Sequence, residues 1–182
     1  IFIREISRKE HNNLTYLLYL QGGPGYESPR LISSLKWIDY ASKFYNILLL
    51  DQRGTGKSTQ LNIHDFSHEE NNVAVEKIAL YRADNIVRDA EEIRKSLIGN
   101  KKWSILGQSF GGFCALNYLS FHASALKEVL ITGGIPPLTA HPDDVYRRTY
   151  YRVKQKNLNF FNIFPNAQER ARRIADIIQK TS

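Results

Sequence analysis

The chain has 182 residues, of which 42% are hydrophobic and 24% charged, and 25 Lys and Arg against 18 Asp and Glu give a net charge of +7. That composition belongs to a globular chain and excludes a disordered or collagen-like one, while the single cysteine, Cys114, excludes a disulfide framework. The longest apolar runs, Leu14–Leu20 and Ile47–Leu50, fall well short of the roughly 20 residues a membrane-spanning helix needs, and no secretory pattern opens the chain. A cytoplasmic, reducing setting is the expectation. The sequence contains no Met and stops at Ser182 after an amphipathic stretch with no closing strand, so a fragment is expected.

In chain order, Phe2–Ile6 and Leu14–Leu20 read as strands, the second running into Gly22-Gly23-Pro24-Gly25. Leu31–Tyr45 reads as a helix with Leu31, Leu35, Ile38 and Ala41 on one face, followed by a buried strand over Asn46–Leu50 that ends at Asp51. Residues Leu61–Val75 are polar and irregular and read as a long connection. A helix is predicted over Arg82–Leu97, with Ile86, Ala90, Ile93 and Leu97 inward and Gly99-Asn100 ending it. A strand over Trp103–Leu106, a helix over Phe110–Phe121 and a strand over Glu128–Thr132 follow. Strands alternating with helices predict an α/β fold with a mostly parallel sheet. After Gly133-Gly134-Ile135-Pro136-Pro137 only helices are predicted, over Pro142–Lys156 and Asn166–Lys180.

The charge is uneven: residues 1–135 carry 16 basic and 14 acidic groups, and residues 136–182 carry 9 and 4. Arg147, Arg148, Arg152, Lys154, Lys156, Arg170, Arg172 and Arg173 are interleaved with Tyr146, Tyr150, Tyr151, Phe160 and Phe161. A nucleic-acid surface is one reading of that pattern. Solvated faces of amphipathic helices are the preferred one, so no nucleic-acid partner is expected.

Three motifs fall at predicted strand ends. Gly107-Gln108-Ser109-Phe110-Gly111 fits G-x-S-x-G between a strand and a helix. A serine there sits on a tight, strained turn, and small residues two before and two after it let strand and helix approach. Ser109 is therefore the candidate nucleophile, with the Phe110 amide directed to where an oxyanion would develop. Gly22-Gly23-Pro24-Gly25 supplies backbone N–H groups for a second oxyanion donor, from Gly22 or Gly23. The third motif, Asp51-Gln52-Arg53-Gly54-Thr55-Gly56-Lys57-Ser58, ends like a phosphate-binding loop but has Asp51 where that loop requires glycine. Its preferred reading is structural, an Asp51–Arg53 pair that fixes a loop beside the catalytic one; nucleotide binding is the distant alternative. Cys114, one turn past Ser109, reads as a small buried apolar residue.

In this order and combination the three motifs resemble the proline iminopeptidases, serine peptidases of the α/β-hydrolase fold, over roughly residues 14–140. The resemblance implies an α/β-hydrolase core over 1–135 and the beginning of a helical cap over 136–182. It implies a peptide substrate with a free N-terminus, often proline, an acyl-enzyme on Ser109, and no metal or organic cofactor. The chain departs from many members at Gln21, where they have histidine, and at Phe110 and Phe113, where many bacterial ones have tryptophan, which bears on the first-residue preference.

Serine catalysis also needs a base and an acid, which in this fold follow the nucleophile as Asp or Glu, then His. Only His122 and His141 follow Ser109. His122 lies thirteen residues along the predicted helix, about 20 Å away at 1.5 Å per residue. His141 precedes Asp143 and Asp144, the reverse of the expected order, and His11, His64 and His68 lie upstream in polar stretches. The acid and the histidine are accordingly expected beyond Ser182, as are the carboxylates that hold the substrate ammonium, for which Glu169 is a weak candidate. The isolated chain is expected to turn over negligibly. Another α/β-hydrolase activity, an esterase or amidase, and a non-catalytic protein on the same scaffold remain as alternatives.

Overall fold

The computed structural model describes residues 1–8, 14–30, 36–66 and 69–181. The chain divides into two compact units, Ile1–Pro136 and Pro137–Ser182. The first contains a five-stranded sheet built from β1 (Phe2–Ile6), β2 (Thr15–Leu20), β3 (Tyr45–Asp51), β4 (Trp103–Gln108) and β5 (Leu126–Thr132), in the order β1-β3-β2-β4-β5. β1 runs antiparallel to β3, and every other neighbouring pair is parallel.

The three central strands are covered on both faces, which is why they read as near-continuous apolar runs rather than as alternating ones. The two-residue side-chain period still sorts them. Leu18, Leu20, Leu48, Leu50, Trp103 and Ile105 face α3 (Ala83–Ile98) and α4 (Phe110–His122), against Ile86, Val87, Ala90, Ala115 and Tyr118. Tyr19, Ile47 and Leu49 face the other way, toward Ile38 and Trp37 of α1 (Lys36–Ala41).

Four sequence expectations are adjusted. The helix expected over Leu31–Tyr45 is α1, six residues long; Leu31 and Leu35 lie outside the described residues, and from Tyr45 the chain already pairs with β2. The connection expected to be irregular contains a 3-10 turn at Ile63–Phe66 and a helix, α2 (Asn71–Ala79). None of the α2 residues is buried, so the helix leaves no strong apolar period to read. The inward face of α3 is rotated: Leu97 is 44% exposed, whereas Glu91 and Arg94 are buried.

That burial is possible because the two charges neutralise each other and every polar atom is used. Arg94 donates to both carboxylate oxygens of Glu91 at 2.9 Å, and to the carbonyls of Gly99 and Lys101. Tyr118 donates to Glu91 at 2.6 Å and accepts from the Trp103 indole at 3.1 Å. One buried network thus ties α3, α4, β4 and the loop between α3 and β4.

The second unit is a helical pair, α5 (Pro142–Ile163) and α6 (Pro165–Thr181). His141 caps α5, its Nδ1 accepting from the Asp143 amide at 3.3 Å, and Pro142 occupies the first helical position. The fourth adjustment is here, since α5 runs seven residues past the expected Lys156; what stops it is Pro165, which cannot donate to a continuing helix. Within this unit the Phe160 and Phe164 rings lie 5.0 Å apart, but Tyr150 is 72% exposed and Ile178 58%. No helix among the described residues is long and apolar enough to cross a membrane.

Candidate active site

The carboxyl ends of β2 and β4 meet at Ser109, which joins β4 to α4. Its φ of 52° and ψ of −117° make it the one non-glycine residue with positive φ among those described. A side chain in that conformation is strained by about 1–3 kcal/mol, and the surroundings hold it there. The Ser109 amide donates to the Thr132 carbonyl of β5 at 2.9 Å, and its carbonyl accepts from Gly112 at 2.8 Å. The residue is exposed. Phe110 opens α4, so its N–H belongs to the first turn, where no intrahelical carbonyl is available to it.

The flanking glycines are demanded by space. A Cβ on Gly111 would lie 1.9 Å from the Leu20 carbonyl oxygen, and one on Gly107 would lie 2.2 Å from the Gly111 oxygen. Strand β2, strand β4 and helix α4 meet here backbone to backbone. Across from the serine, a Cβ on Gly22 would stand 2.9 Å from Ser109 Cβ and 3.6 Å from its Oγ. The Gly22-Gly23-Pro24-Gly25 loop therefore borders the hydroxyl directly. The Gly22 amide is engaged, donating to Gln21 Oε1 at 3.1 Å.

The third motif lies beside this loop but pairs differently from expectation. Asp51, fully buried, accepts from Arg30 at 2.7 Å and from the amides of Ser28 and Lys57 at 3.1 and 2.9 Å. Arg53 instead forks onto Asp89 of α3, at 2.7 and 2.6 Å. The expected Asp51–Arg53 pair is thus replaced by two separate pairs. Asp51 closes its loop inward, where a Cβ on Gly56 would fall 2.3 Å from its Oδ2, while Arg53 reaches outward to the helix. Gln52, between them, is buried and donates to the Gln21 carbonyl at 3.0 Å, linking this loop to the glycine loop.

The histidines are disposed as follows. His122 ends α4, its ring set edge-on to Tyr118 at 5.8 Å. His141 caps α5 in the other unit, His64 lies in the 3-10 turn, and His11 and His68 lie outside the described residues. Glu169 pairs with Arg173 on the surface of α6. Cys114 is fully buried, and burial pushes its thiol up to about 12.

Sequence reasoning passed over Tyr19, Gln52 and Gln108. The signal available for Tyr19 was its i, i+2 spacing from Gln21 where β2 reaches the sheet edge, which puts a phenol and an amide on one face.

A strained serine turn at the carboxyl edge of a mostly parallel sheet with this strand order is the architecture of an α/β hydrolase. The sequence matches the α/β hydrolase fold family over residues 15–180, and the chain belongs to that family. It is 47% identical to a proline iminopeptidase of Aeromonas sobria over 99% of this chain and 43% of that protein. It is 34% identical to the proline iminopeptidase aneH of Aspergillus aculeatus over 92% of this chain and 39% of that one. The chain thus spans less than half the length of these relatives. In fold it is similar to a marine microorganism esterase, with a TM-score of 0.52 and 17% identity over 84% of this chain and 50% of that one. An esterase of Exiguobacterium antarcticum gives the same score at 20% identity, over 79% of this chain and 44% of that one.

Proposed function

We propose that this chain is the N-terminal part of a serine aminopeptidase that releases the first residue, preferentially proline, from peptides with a free N-terminus. The observation that carries the reading is the strained Ser109 turn bordered by Gly22, in a chain 47% identical to a proline iminopeptidase. Ser109 Oγ attacks the carbonyl carbon of the first residue while its proton passes to a histidine, and the carbonyl oxygen becomes an oxyanion. The same histidine then protonates the leaving amine as the C–N bond breaks, and water hydrolyses the ester by the reverse sequence. The Phe110 amide is one oxyanion donor. Because the Gly22 amide is occupied by Gln21, the Gly23 amide is the better candidate for the other.

In this reading the histidine and its acid come from chain following Ser182, residues 136–182 begin a cap, and no metal or organic cofactor is called for. A single buried cysteine fits a reducing, cytoplasmic setting. The test is hydrolysis of a prolyl arylamide by the native full-length protein and by its Ser109→Ala variant. The reading expects the first to be active and the second to lose at least about 10³-fold, and expects residues 1–182 alone to show negligible turnover. Undiminished turnover by Ser109→Ala, or robust turnover by the isolated 182 residues, would overturn it.

A further inference from the structure

Resting on the nucleophile reading just given, the structure assigns Tyr19 and Gln21 as positioning residues that hold the two halves of the oxyanion site at a fixed separation. Those halves come from different strands. The Phe110 amide follows β4, and the glycine-loop amides follow β2.

The sheet register brings the side chains that could link them to one place. β2 and β4 are parallel, with Tyr19 opposite Leu106 and Leu20 opposite Gly107. The two-residue period then puts Tyr19, Gln21 and Gln108 on one face, Gln21 and Gln108 each two positions beyond the Tyr19–Leu106 pair. Tyr19 is buried, with its ring 4.9 Å from that of Trp37, so its hydroxyl has little freedom. That hydroxyl meets two amide oxygens: Gln21 Oε1 at 2.7 Å, and Oε1 of Gln108, the residue before Ser109.

Proton counting orients the network. Gln21 Oε1 also accepts from the Gly22 amide at 3.1 Å, and Gln21 Nε2 donates to the Glu27 carbonyl at 3.1 Å, so the Gln21 amide has one consistent orientation. A phenol has one proton and cannot donate to both oxygens; the consistent arrangement gives it to Gln21 and exchanges the O and N of the Gln108 amide, so that its NH2 donates to the phenol oxygen. Gln21 thereby binds both ends of the loop from Gly22 to Glu27, while Gln52 holds its main-chain carbonyl at 3.0 Å. Tyr19 joins that closed loop to the residue on which Ser109 stands. By taking the Gly22 amide, Gln21 also fixes the loop in the arrangement that leaves the Gly23 amide for substrate.

A site of this kind works only if its donors are held within a few tenths of an ångström of the developing charge, and a displacement of about 1 Å can cost on the order of 10²-fold in rate. The test uses the native full-length protein and the variants Tyr19→Phe, Gln21→Ala and Gln21→Glu, assayed on a prolyl arylamide, with binding of a boronate mimic of the tetrahedral state and thermal unfolding measured alongside. For Tyr19→Phe and Gln21→Ala the expected result is a fall in kcat of about 10- to 100-fold, with KM within about threefold and boronate affinity falling with kcat. Gln21→Glu keeps an acceptor for Gly22 and Tyr19 and is expected to recover part of the loss.

A kcat within twofold of the unsubstituted protein in both Tyr19→Phe and Gln21→Ala overturns the inference. So does a loss of kcat that leaves boronate affinity unchanged, or that only follows a loss of thermal stability. Ser109→Ala, run in parallel, separates the two levels. If it is inactive while the Tyr19 and Gln21 variants keep full rate, only the positioning role fails; if it keeps its rate, the nucleophile reading fails and this inference with it.

Discussion

Replacing Gly22 by alanine separates blockage of the site from damage to the fold. The added methyl would stand 2.9 Å from Ser109 Cβ, 3.1 Å from the Gln108 oxygen and 3.6 Å from Ser109 Oγ. Carbon atoms in contact settle at about 3.5–4.0 Å, so the loop and the elbow must part by roughly half an ångström. Overpacking of that size costs about 1–3 kcal/mol, which a folded domain survives as a fall of several degrees in Tm. The chemistry loses more. With Ser109 as the proposed nucleophile, a reacting carbonyl carbon must come within about 3–3.5 Å of Oγ, the space this methyl enters, and the proposed Gly23 donor moves with the loop. The expected fall in kcat/KM is at least about 10²-fold. Gly25→Ala is the control: its φ of +98° makes alanine strained, yet a Cβ there meets nothing within 4 Å. It should lower Tm comparably and lose less kcat/KM than Gly22→Ala, because no methyl enters the space at Oγ. The assay is turnover of a prolyl arylamide by the native full-length protein, with the rate of Ser109 labelling by a fluorophosphonate read by mass spectrometry. Labelling of Gly22→Ala at the unsubstituted rate would refute the reasoning, because a hydroxyl that accessible cannot be bordered as described.

Three further outcomes are expected. Gly111→Ala should lose at least about 3 kcal/mol, since its methyl would lie 1.9 Å from the Leu20 oxygen and only backbone can give way; an unchanged Tm would contradict that close approach. Burial works against the Glu91 charge, but hydrogen bonds from Arg94 and Tyr118 and the Arg94 charge outweigh it, so the carboxyl titrates below its usual value. The folded pKa being the lower one, this stabilisation is complete above the unfolded carboxyl value of about 4.3 and is lost as pH falls through the folded value. Glu91→Gln should therefore cost about 3 kcal/mol at neutral pH and flatten the acid limb of a stability–pH curve, and an identical acid limb would show that Glu91 does not contribute to it. Cys114, with its thiol at about 12, should resist iodoacetamide at pH 8 in the folded protein and react once denatured, because only about one thiol in 10⁴ is ionised; fast labelling of the folded chain would contradict its burial.

What was legible in the sequence is what local sterics and periodicity dictate. Ser109 and its glycines could be found because a strand that turns into a helix within one residue leaves no room for side chains at 107 and 111. The central strands could be found because burial on both faces requires unbroken apolar runs. α2 was not legible because none of its residues is buried, and the depth of Glu91 and Arg94 was not because a charged pair enters a core only where distant groups complete its hydrogen bonds, here Tyr118, 27 residues from Glu91, and Trp103, 15 residues from Tyr118.

The sequence by itself determined that Ser109, the glycine loop and the Asp51 loop fall at strand ends. Tertiary structure alone decided their partners: Asp51 turned to Arg30 rather than to Arg53, the Gln21 carbonyl was taken by Gln52, and Tyr19 met Gln108 across 89 residues of chain. Spacing along a chain fixes turns and faces, but a hydrogen bond or an ion pair needs its two groups within about 3 Å, and for residues this far apart it is the strand register and the packing of α1, α3 and α4 that set that distance.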